Sequence, residues 1–334
     1  MEETTKYTLE DVMASAPDNE VIKDALFRTW MYISEHQKPL CSVSGGADSD
    51  VILDICYKCD PDKKVTYVWY DTGLEYKATK EHLKYLEEKY EIEILRYRAV
   101  KPIPFTCYTV GVPLFNKYDS EMIYRLQRHG FQWEDEPFEE LVKKYPKCRV
   151  ALKWWCNQNG NGNQFNIQKH PYLKEYIVEN PINFKVSNKC CDYAKKNPAH
   201  KMITNNGFDL NIVGIRKAEG GVRATSHKSC FNNAGETYSN YYPVFWFSNA
   251  DRAEYIKHYG ITLSKCYTEY GMPRTGCAGC PYAGKNLQSE LEIMKNNEPL
   301  LYQAVNKIFK NSYEYTKNYK EFAAKQKQEE KDNG

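Results

Sequence analysis

Residues 39–49 read PLCSVSGGADS, and this stretch decides the fold. The apolar run at 39–43 predicts a short buried strand, and a helical pattern covers residues 50–57. Between them, the glycine pair at 45–46 lets backbone N–H groups approach an anion closely, and the start of a helix adds a partial positive charge. The stretch therefore predicts a phosphate-binding loop that joins a strand to a helix.

Side chains of the same loop fit that prediction. Ser44 and Ser49 supply hydroxyl donors, and Asp48 can hold Mg²⁺ against a phosphate. A glycine pair alone is a weak signal, because such pairs are common in ordinary tight turns. Six residues in this order between a strand and a helix are a strong one. No Gly-Lys-Ser/Thr follows, so the loop is not a Walker A motif, and it lacks the G-x-G-x-x-G of a dinucleotide-binding turn.

Strand and helix patterns alternate on both sides of the loop. A helix is predicted at residues 20–36, a second strand at 65–70, an amphipathic helix at 75–90 and a third strand at 92–97, and residues 211–215 resume the sheet. Alternation at this spacing is typical of a parallel sheet. The sequence therefore predicts an α/β fold: a twisted parallel sheet with helices on both faces, an irregular insertion and a helical C-terminal tail.

The loop at residues 44–49 resembles the SGGxDS motif of the PP-loop ATP pyrophosphatase superfamily. Position 47, which is lysine in some members, is alanine here. The resemblance implies an adenine nucleotide as ligand, with the loop binding the phosphates of ATP or of an adenylyl group together with Mg²⁺. The implied phosphate-binding residues are Ser44, Gly45, Gly46, Asp48 and Ser49.

A second segment resembles one branch of that superfamily, the phosphoadenosine phosphosulfate (PAPS) reductases. Residues 70–76 read YDTGLEY and are similar to that family's D-T-G segment. They lie at the carboxyl end of a predicted strand, where open α/β sheets bind ligands. The resemblance implies that Asp71, Thr72 and Gly73 face the ribose or adenine of the nucleotide.

A third segment, GIRKAEGGVR at residues 214–223, is similar to the G-x-R-x-x-E-S-x-x-R of the PAPS reductases, with Gly220 where the family usually has serine. Arginine recognises phosphate or sulfate through two parallel hydrogen bonds. The resemblance implies that Arg216 and Arg223 bind the anionic end of the ligand. The alternative is that either one is an ordinary surface arginine.

The last matching segment is GMPRTGCAGCP at residues 271–281, which resembles the family's closing G-x-x-R-x-G-C-x-x-C-P signature. Upstream of it, YPVFW at 242–246 is similar to a Y-P-hydrophobic-Trp segment of the same family. The resemblance runs from about residue 38 to 284 and thins out over 103–185.

Four of the twelve cysteines form two close pairs, Cys190-Cys191 and Cys277-x-x-Cys280. Four thiolates can bind zinc or an iron–sulfur cluster. Adjacent cysteines fit a single tetrahedral zinc poorly because neighbouring side chains diverge, whereas a cuboidal cluster presents several irons. The pattern also resembles the ligand set of [4Fe–4S] adenylylsulfate (APS) reductases, which implies a [4Fe–4S] cluster on these four cysteines. Zinc and unliganded thiols are the alternatives.

The net charge of +2 hides a basic stretch. Residues 141–202 carry 12 lysines and arginines against 3 aspartates and glutamates, so their net charge is +9 and that of the remaining chain is −7. Aromatic residues interleave these charges, as in proteins that stack single-stranded or flipped nucleotides. The alternative is a solvated insertion with a basic face. The rings are Tyr145, Trp154, Trp155, Phe165, Tyr172, Tyr176, Phe184 and Tyr193.

One cysteine that the resemblance leads us to expect is absent. Sulfonucleotide reductases attack the sulfate sulfur with a cysteine in a C-terminal segment, and that chemistry needs a mobile thiol of low pKa. The 54 residues after Cys280 contain no cysteine. Unless Cys230 or Cys266 stands in, we expect that this chain cannot carry out that reaction alone.

We expect three parts in the chain. A nucleotide-binding α/β domain comprises residues 1–102 and 203–284, a basic aromatic insertion comprises 103–202 with the Cys-Cys pair near its end, and a helical extension comprises 285–334. No apolar run reaches the roughly 18 residues that a membrane helix needs. The acidic start MEETTKYTLEDV is unlike a signal or transit peptide. We therefore expect a cytoplasmic protein without a membrane partner.

The leading functional hypothesis is an enzyme that carries a [4Fe–4S] cluster. ATP adenylylates an oxygen of an acceptor with release of pyrophosphate, and sulfur from a donor protein is then delivered with the help of the cluster. Nucleic-acid thiolation of this kind occurs among superfamily relatives, including the DNA phosphorothioation proteins. The basic stretch at 141–202 would then bind a nucleic-acid acceptor.

Two other hypotheses stand beside it. The chain could reduce PAPS or APS with a relocated cysteine and an electron-donor protein. Alternatively, it is not an enzyme but a nucleotide-sensing or nucleic-acid-binding regulator that keeps the pocket and the cluster.

Overall fold

The chain divides into two compact units, each of which contains two separate segments. The first unit comprises Met1–Val100 and Ala194–Cys277, and the second comprises Lys101–Tyr193 and Ala278–Gly334. The structure is a computed structural model, and it describes residues 8–160, 164–220, 227–232 and 237–333.

The described residues form six strands and fifteen α-helices, numbered here in chain order. The strands are β1 (Pro39–Val43), β2 (Thr66–Asp71), β3 (Ile94–Arg98), β4 (Leu210–Ile212), β5 (Phe231–Asn232) and β6 (Ser239–Tyr241). The helices are α1 (Leu9–Ala14), α2 (Glu20–Glu35), α3 (Ala47–Lys58), α4 (Lys77–Tyr90), α5 (Ile103–Thr109), α6 (Lys117–Arg128), α7 (Phe138–Lys144), α8 (Arg149–Trp155), α9 (Leu173–Glu179), α10 (Lys189–Cys191), α11 (Asn197–Asn206), α12 (Asn249–His258), α13 (Lys265–Thr268), α14 (Leu287–Asn297) and α15 (Pro299–Asn333).

All six of these strands belong to one sheet in the first unit, in the order β3-β2-β1-β4-β6-β5. Neighbouring strands are parallel except for the short pair β5–β6, which is antiparallel. In register, Val43 of β1 lies opposite Trp69 of β2, and Cys41 lies opposite Ile212 of β4. The strand order reverses between β1 and β4, and α/β sheets bind ligands in the crevice at such a point.

Alternate side chains of β1 belong to two different apolar clusters. Leu40 packs with Ile203 of α11, whereas Cys41 belongs to a larger cluster that includes Val51 of α3 and Leu83 of α4. Because successive side chains of a strand point to opposite faces of the sheet, the two clusters lie on opposite faces. The predicted α/β fold, a parallel sheet with helices on both faces, is thereby confirmed.

The strands predicted at 39–43, 65–70 and 92–97 match β1, β2 and β3, whereas the one predicted at 211–215 shares only two residues with β4, and β5 and β6 were not predicted. The start of α3 also differs from the prediction. The strand predicted at 39–43 coincides with β1. The helix after the loop begins at Ala47 rather than at residue 50, so Asp48 and Ser49 belong to its first turn. Their side chains are therefore carried by a helix whose residues 51–56 are buried, not by a pliable loop.

The second unit has its own hydrophobic core, built largely from short helices. Trp154 and Trp155 of α8 are fully buried in it. The Trp154 indole N–H donates to Asp119 Oδ1 over 3.1 Å, and the Trp155 N–H donates to the Glu134 carbonyl over 2.9 Å. The sequence predicted an irregular insertion here. Helices of about two turns, such as α8, give too few repeats for a 3.6-residue period to stand out.

The predicted helical tail consists of α14 and α15, and α15 continues to Asn333. It belongs to the second unit, where Tyr319 joins the hydrophobic core. Ser312 is fully buried, and its hydroxyl donates to the Pro113 carbonyl over 2.6 Å. The tail is therefore packed along much of its length.

Among the described residues, no helix combines the length and the apolar character that crossing a membrane requires.

The buried Asp54 of α3 joins three elements of the first unit. Its Oδ1 accepts a hydrogen bond from the Tyr90 hydroxyl of α4 over 2.9 Å, and its Oδ2 accepts one from Tyr255 of α12 over 2.7 Å. Lys58 Nζ lies 2.5 Å from the same Oδ2. Burial, together with the charge of Asp54, raises the pKa of both phenols, so both remain protonated donors.

We predict that Asp54→Ala lowers the free energy of unfolding by about 2–4 kcal/mol, because it leaves two buried hydroxyls without their acceptor. Asp24→Ala is the control. Asp24 pairs with Arg28 on the exposed face of α2, where such a pair contributes about 0.5 kcal/mol. Urea denaturation followed by circular dichroism measures both variants. Equal losses in the two would contradict the role of Asp54.

Candidate functional site

The phosphate loop joins β1 to α3 in the first unit. The Ser44 N–H donates to Ser49 Oγ over 2.7 Å and closes the loop over its glycines. Gly45 has φ +67°, and a Cβ there would lie 3.0 Å from Thr79 Cγ2. A Cβ on Gly46 would lie 3.0 Å from Thr275 Oγ1. The positive φ favours glycine at position 45, and close neighbours leave little room for a side chain at either position. The five predicted loop residues lie together at the start of α3.

Two arginines meet at the Asp48 carboxylate. Arg216 Nε lies 2.7 Å from Asp48 Oδ1, and Arg252 Nη1 lies 3.2 Å from the same oxygen. Arg216 was predicted to bind the anionic end of the ligand; it lies beside the loop, and that role stays a prediction. Arg252 of α12 was missed, since a single arginine in a helix carries no motif. Arg223, the other predicted arginine, lies outside the described residues.

Tyr267 of α13 is a further neighbour of the loop that sequence reasoning did not assign to the site. Its hydroxyl oxygen accepts a hydrogen bond from the Ala47 N–H over 3.1 Å and one from the Thr275 N–H over 3.3 Å. The segment before the C-x-x-C pair is thereby held against the phosphate loop. The matching signature at 271–281 could have pointed to this contact, but a signature does not tell which neighbouring hydroxyl is used.

The D-T-G turn after β2 is held together by its own side chains and by two residues that the sequence did not single out. Glu75 Oε1 accepts hydrogen bonds from the Thr72 N–H over 2.9 Å and from the Thr72 hydroxyl over 2.5 Å. Asp71 Oδ1 accepts from the Gly73 N–H over 2.9 Å, and Asp71 Oδ2 accepts from Arg96 Nε over 2.8 Å. Asp71 and Thr72 thus shape the turn, and their contact with a nucleotide stays a prediction.

The pKa values of the two carboxyl groups of this turn, Asp71 and Glu75, are shifted in opposite directions from their ordinary values. Burial favours the neutral form of Asp71, but the hydrogen bond from Arg96 and those within the turn outweigh it, and the pKa of Asp71 is lowered. The pKa of Glu75 is raised, first by burial and then by the neighbouring Asp71. As pH rises, Asp71 is therefore the first of the two carboxyl groups to lose its proton.

The predicted metal-ligating cysteines are divided between the two units. Cys277 belongs to the first unit, where its Sγ lies 3.9 Å from Thr72 Oγ1. One predicted cluster ligand and one predicted nucleotide-binding residue are therefore neighbours. No sequence pattern indicated this contact, because 205 residues separate the two.

Cys190, Cys191 and Cys280 belong to the second unit. Cys190 is buried, and its pKa is raised first by a hydrogen bond with Cys191, then by burial and by the nearby Cys107 and Cys280. Cys107 lies on α5, which packs against α10. These thiols are thus grouped in one region, and Cys107 is a neighbour that the sequence did not identify.

All twelve cysteines are described, and none forms a disulfide. Within the described part of the chain, no three or more His, Cys, Asp or Glu side chains are arranged to hold a metal ion. The donor chemistry of the grouped thiols fits an iron–sulfur cluster, since thiolates are the usual ligands of such clusters. The ligand set Cys190, Cys191, Cys277 and Cys280 stays a prediction.

The aromatic rings of the basic stretch do not form the exposed stacking surface that their spacing suggested. Trp154 and Trp155 are fully buried in the core of the second unit, and Tyr176 is 5% exposed. Phe165 is an exception and is 43% exposed. The interpretation as a stacking surface is wrong for the buried rings, because they pack against other aromatic rings of the core and are not accessible to a base.

The positive charges of the stretch do reach the surface. In the second unit the exposed ones are Lys143, Lys144, Lys147, Arg149, Lys153, Lys169 and Lys185. Lys143 and Lys144 pair with Glu140 and Glu134. The case for an acidic partner therefore rests on charge rather than on stacking.

Comparison with known proteins identifies the family. Residues 38–103 and 108–283 match the phosphoadenosine phosphosulfate reductase domain. The chain belongs to this family. The match covers the segments at 44–49, 70–76, 214–223 and 271–281, and it confirms their predicted resemblance to PAPS reductases.

Relatives of this PAPS reductase family member are distant. An uncharacterised protein of Methanocaldococcus jannaschii is 25% identical over 270 residues, which make up 80% of this chain and 40% of that protein. The chain thus spans less than half the length of that curated relative.

Three solved structures share a weak likeness with the chain. A PAPS reductase from Candida auris in complex with phosphate has TM-score 0.41 and 13% identity, with coverage of 78% of this chain and 96% of that one. The NH3-dependent NAD synthetase of Campylobacter jejuni has TM-score 0.36 and 10% identity, covering 89% and 95%. The U34-tRNA thiolase NcsA of Methanococcus maripaludis, with its [4Fe–4S] cluster, has TM-score 0.36 and 12% identity, covering 90% and 79%. Likenesses at these scores say nothing about the reaction of this chain.

We predict that Arg96→Gln raises the pKa of Asp71, because it removes the main hydrogen bond to the charged carboxylate. The lowered pKa in the folded state contributes stability above the unfolded pKa of Asp71, and that stability is lost as pH falls through the folded pKa. The variant should therefore be less stable than the wild type at pH 7 by about 1–2 kcal/mol, a range reduced for the solvent exposure of Arg96. The deficit should shrink in acid.

Carbon-detected NMR titration of the aspartate carboxyls measures the pKa, and urea denaturation at several pH values measures the stability. Arg98→Gln, at an exposed position two residues along β3, is the matched control. An unchanged Asp71 titration in Arg96→Gln would show that the ion pair does not set the charge of the turn.

Proposed function

We propose that this PAPS reductase family member binds an adenine nucleotide at the carboxyl edge of its parallel sheet and adenylylates an oxygen of an acceptor. The observation that carries the proposal is the phosphate loop, whose closed backbone lies at the start of α3 with Arg216 and Arg252 beside it. Backbone N–H groups, a helix N-terminus and guanidinium groups all favour the charge of a phosphate chain.

In the proposed reaction, the acceptor oxygen forms a bond to the α-phosphorus of ATP. The bond from that phosphorus to the bridging oxygen of the β-phosphate breaks, pyrophosphate leaves with the electron pair, and the acceptor proton passes to water. The chain's own contribution is to hold the phosphates and to stabilise the charge that develops on them. Arg216 is suited to this role, because it is almost fully buried and needs no reorganisation when the ligand arrives.

A sulfide-level sulfur supplied by a donor would then attack the activated atom of the acceptor. The bond from that atom to the adenylate oxygen would break, and AMP would leave with the electron pair. A [4Fe–4S] cluster, when bound, supplies a site at which sulfur can be held or electrons delivered. Cys190, Cys191 and Cys280 are the proposed ligands in the second unit, and Cys277 is the proposed ligand in the first. Because Cys277 lies beside Thr72, a group bound to it would be close to the turn after β2.

We predict that protein purified without oxygen contains about four iron and four sulfide per chain and absorbs broadly near about 400 nm. Cys190→Ser should lose most of the iron, because it removes a ligand from the grouped thiols. Cys148→Ser is the matched control, since Cys148 is equally buried in the same unit and belongs to the hydrophobic core. Metal analysis and absorption spectra measure both. About one zinc per chain without the absorption band would refute the cluster.

An acceptor with many phosphates fits the positive charge of the basic stretch at residues 141–202. Lys147, Arg149 and Lys153 are exposed, and the last two are four residues apart and therefore share one face of α8. Contacts from such residues to a nucleic-acid backbone release counterions and strengthen binding at low salt. We propose a nucleic acid as the acceptor, recognised by charge.

We predict that tRNA or single-stranded DNA stimulates pyrophosphate release from ATP. Replacing Lys147, Arg149 and Lys153 together by glutamine should abolish the stimulation and reduce the salt dependence of nucleic-acid binding by a slope of about 2. The charge-matched control replaces Lys317, Lys320 and Lys325 of α15 by glutamine. Binding of ATP without pyrophosphate release, whatever nucleic acid is added, would contradict adenylylation and favour a nucleotide-sensing regulator.

Reduction of PAPS or APS is the second candidate, and the match to the PAPS reductase domain favours it. That reaction needs a reactive thiol, and the two proposed substitutes are both buried. Cys266 is fully buried, with its Sγ 3.7 Å from Thr79 Oγ1, and Cys230 is 9% exposed. Buried thiols are poor nucleophiles, so adenylylation is the better supported proposal. Release of sulfite from PAPS or APS in the presence of thioredoxin would reverse this order.

A further inference from the structure

The Asp48 carboxylate, which the resemblance assigns to Mg²⁺, faces two cations of the chain itself. Arg216 Nε and Arg252 Nη1 lie 2.7 and 3.2 Å from the same oxygen, Oδ1. One negative charge therefore meets two positive charges. A divalent cation on this carboxylate would be repelled by the two guanidinium groups that already contact it, so the residues present do not fit Mg²⁺ at this position.

Arg216 is fixed in place by more than Asp48. Its side chain is 5% exposed, and its Nη1 lies 3.1 Å from Asn249 Oδ1 and 3.5 Å from the Phe247 carbonyl oxygen. Both of these acceptors are neutral, so Asp48 supplies the only negative charge among these three contacts. A Cβ on Gly214 would lie 3.3 Å from the Asp48 carbonyl oxygen, which shows how closely the segment before Arg216 approaches the start of α3.

Arg252 differs from Arg216 in its access to solvent. Its side chain is 28% exposed, against 5% for Arg216. It lies on α12, a helix that begins with a complete capping box at Ser248 and Asp251 and is therefore well defined at this end. Arg252 is thus a partly accessible cation, positioned by Asp48, next to the first turn of α3.

We propose that Asp48 is a positioning residue that holds Arg216 and Arg252 ready for the phosphate or sulfate oxygens of the nucleotide, and that the loop binds its ligand without a protein-bound Mg²⁺. The inference rests on the proposed nucleotide site. With two guanidinium groups and one carboxylate, the cluster carries a net charge of +1, which attracts an anion. The loop then recognises the negative end of the nucleotide directly, through planar donors rather than through a bridging ion.

The test is calorimetric titration of the full chain with PAPS and with a non-hydrolysable analogue of ATP, once with EDTA and once with excess Mg²⁺. We expect dissociation constants that agree within about twofold between the two conditions. Asp48→Asn and Arg252→Ala should each weaken binding about tenfold in both conditions, because each removes a charge-assisted contact or its support. Arg252→Lys should restore part of the affinity, since it keeps the charge but loses the planar donors.

Lys257→Ala removes one positive charge from the exposed face of the same helix and is the matched control, with affinity expected to stay near that of the wild type. Thermal denaturation shows which variants fold. If Asp48→Asn does not fold, the inference is tested with the two Arg252 variants instead. The inference is overturned if Mg²⁺ tightens wild-type binding tenfold or more and Asp48→Asn removes that gain while leaving affinity in EDTA unchanged. Absence of nucleotide binding in either condition overturns the proposed function and the inference with it, whereas binding only with Mg²⁺ overturns the inference alone.

Discussion

The ion pair between the buried Arg216 and the partly buried Asp48 connects the two halves of the first unit's sheet at its carboxyl edge. Asp48 lies in the first turn of the helix after β1, and Arg216 follows β4, the strand on the other side of the point where the strand order reverses. The guanidinium group of Arg216 is buried and depends on this carboxylate, because an unpaired charge in this position would be costly. The pair therefore fixes the distance between two loops that 168 residues of sequence separate.

Features that depend on local sequence could be predicted. The apolar run of β1, the glycine pair after it and the helical pattern that follows are each set by neighbours within a few residues, and the structure agrees with them closely. The segments at 70–76 and 271–281 were identified through their resemblance to the PAPS reductases. The family match over residues 38–103 and 108–283 covers both.

Features that depend on contacts between distant segments could not be predicted. Arg252 and Tyr267 lie beside predicted site residues only because the fold brings separate helices to one edge of the sheet. The prediction that the rings of the basic stretch form a stacking surface was wrong because composition does not show which rings are buried. Their composition is the same whether they stack on bases or on one another, and only the packing of the second unit shows that Trp154 and Trp155 belong to its core.

The glycine between the last two cysteines has a further consequence. Gly279 has φ +61°, and a Cβ there would lie 2.7 Å from the Tyr313 hydroxyl and 2.9 Å from Val305, both on α15. The same hydroxyl donates to the Gly279 carbonyl. Helix α15 thus leaves no room for any side chain at this position. During evolution, residue 279 can therefore change only together with α15, so substitutions in these two segments should occur together. Neither segment should fold correctly when it is grafted onto another protein without the other.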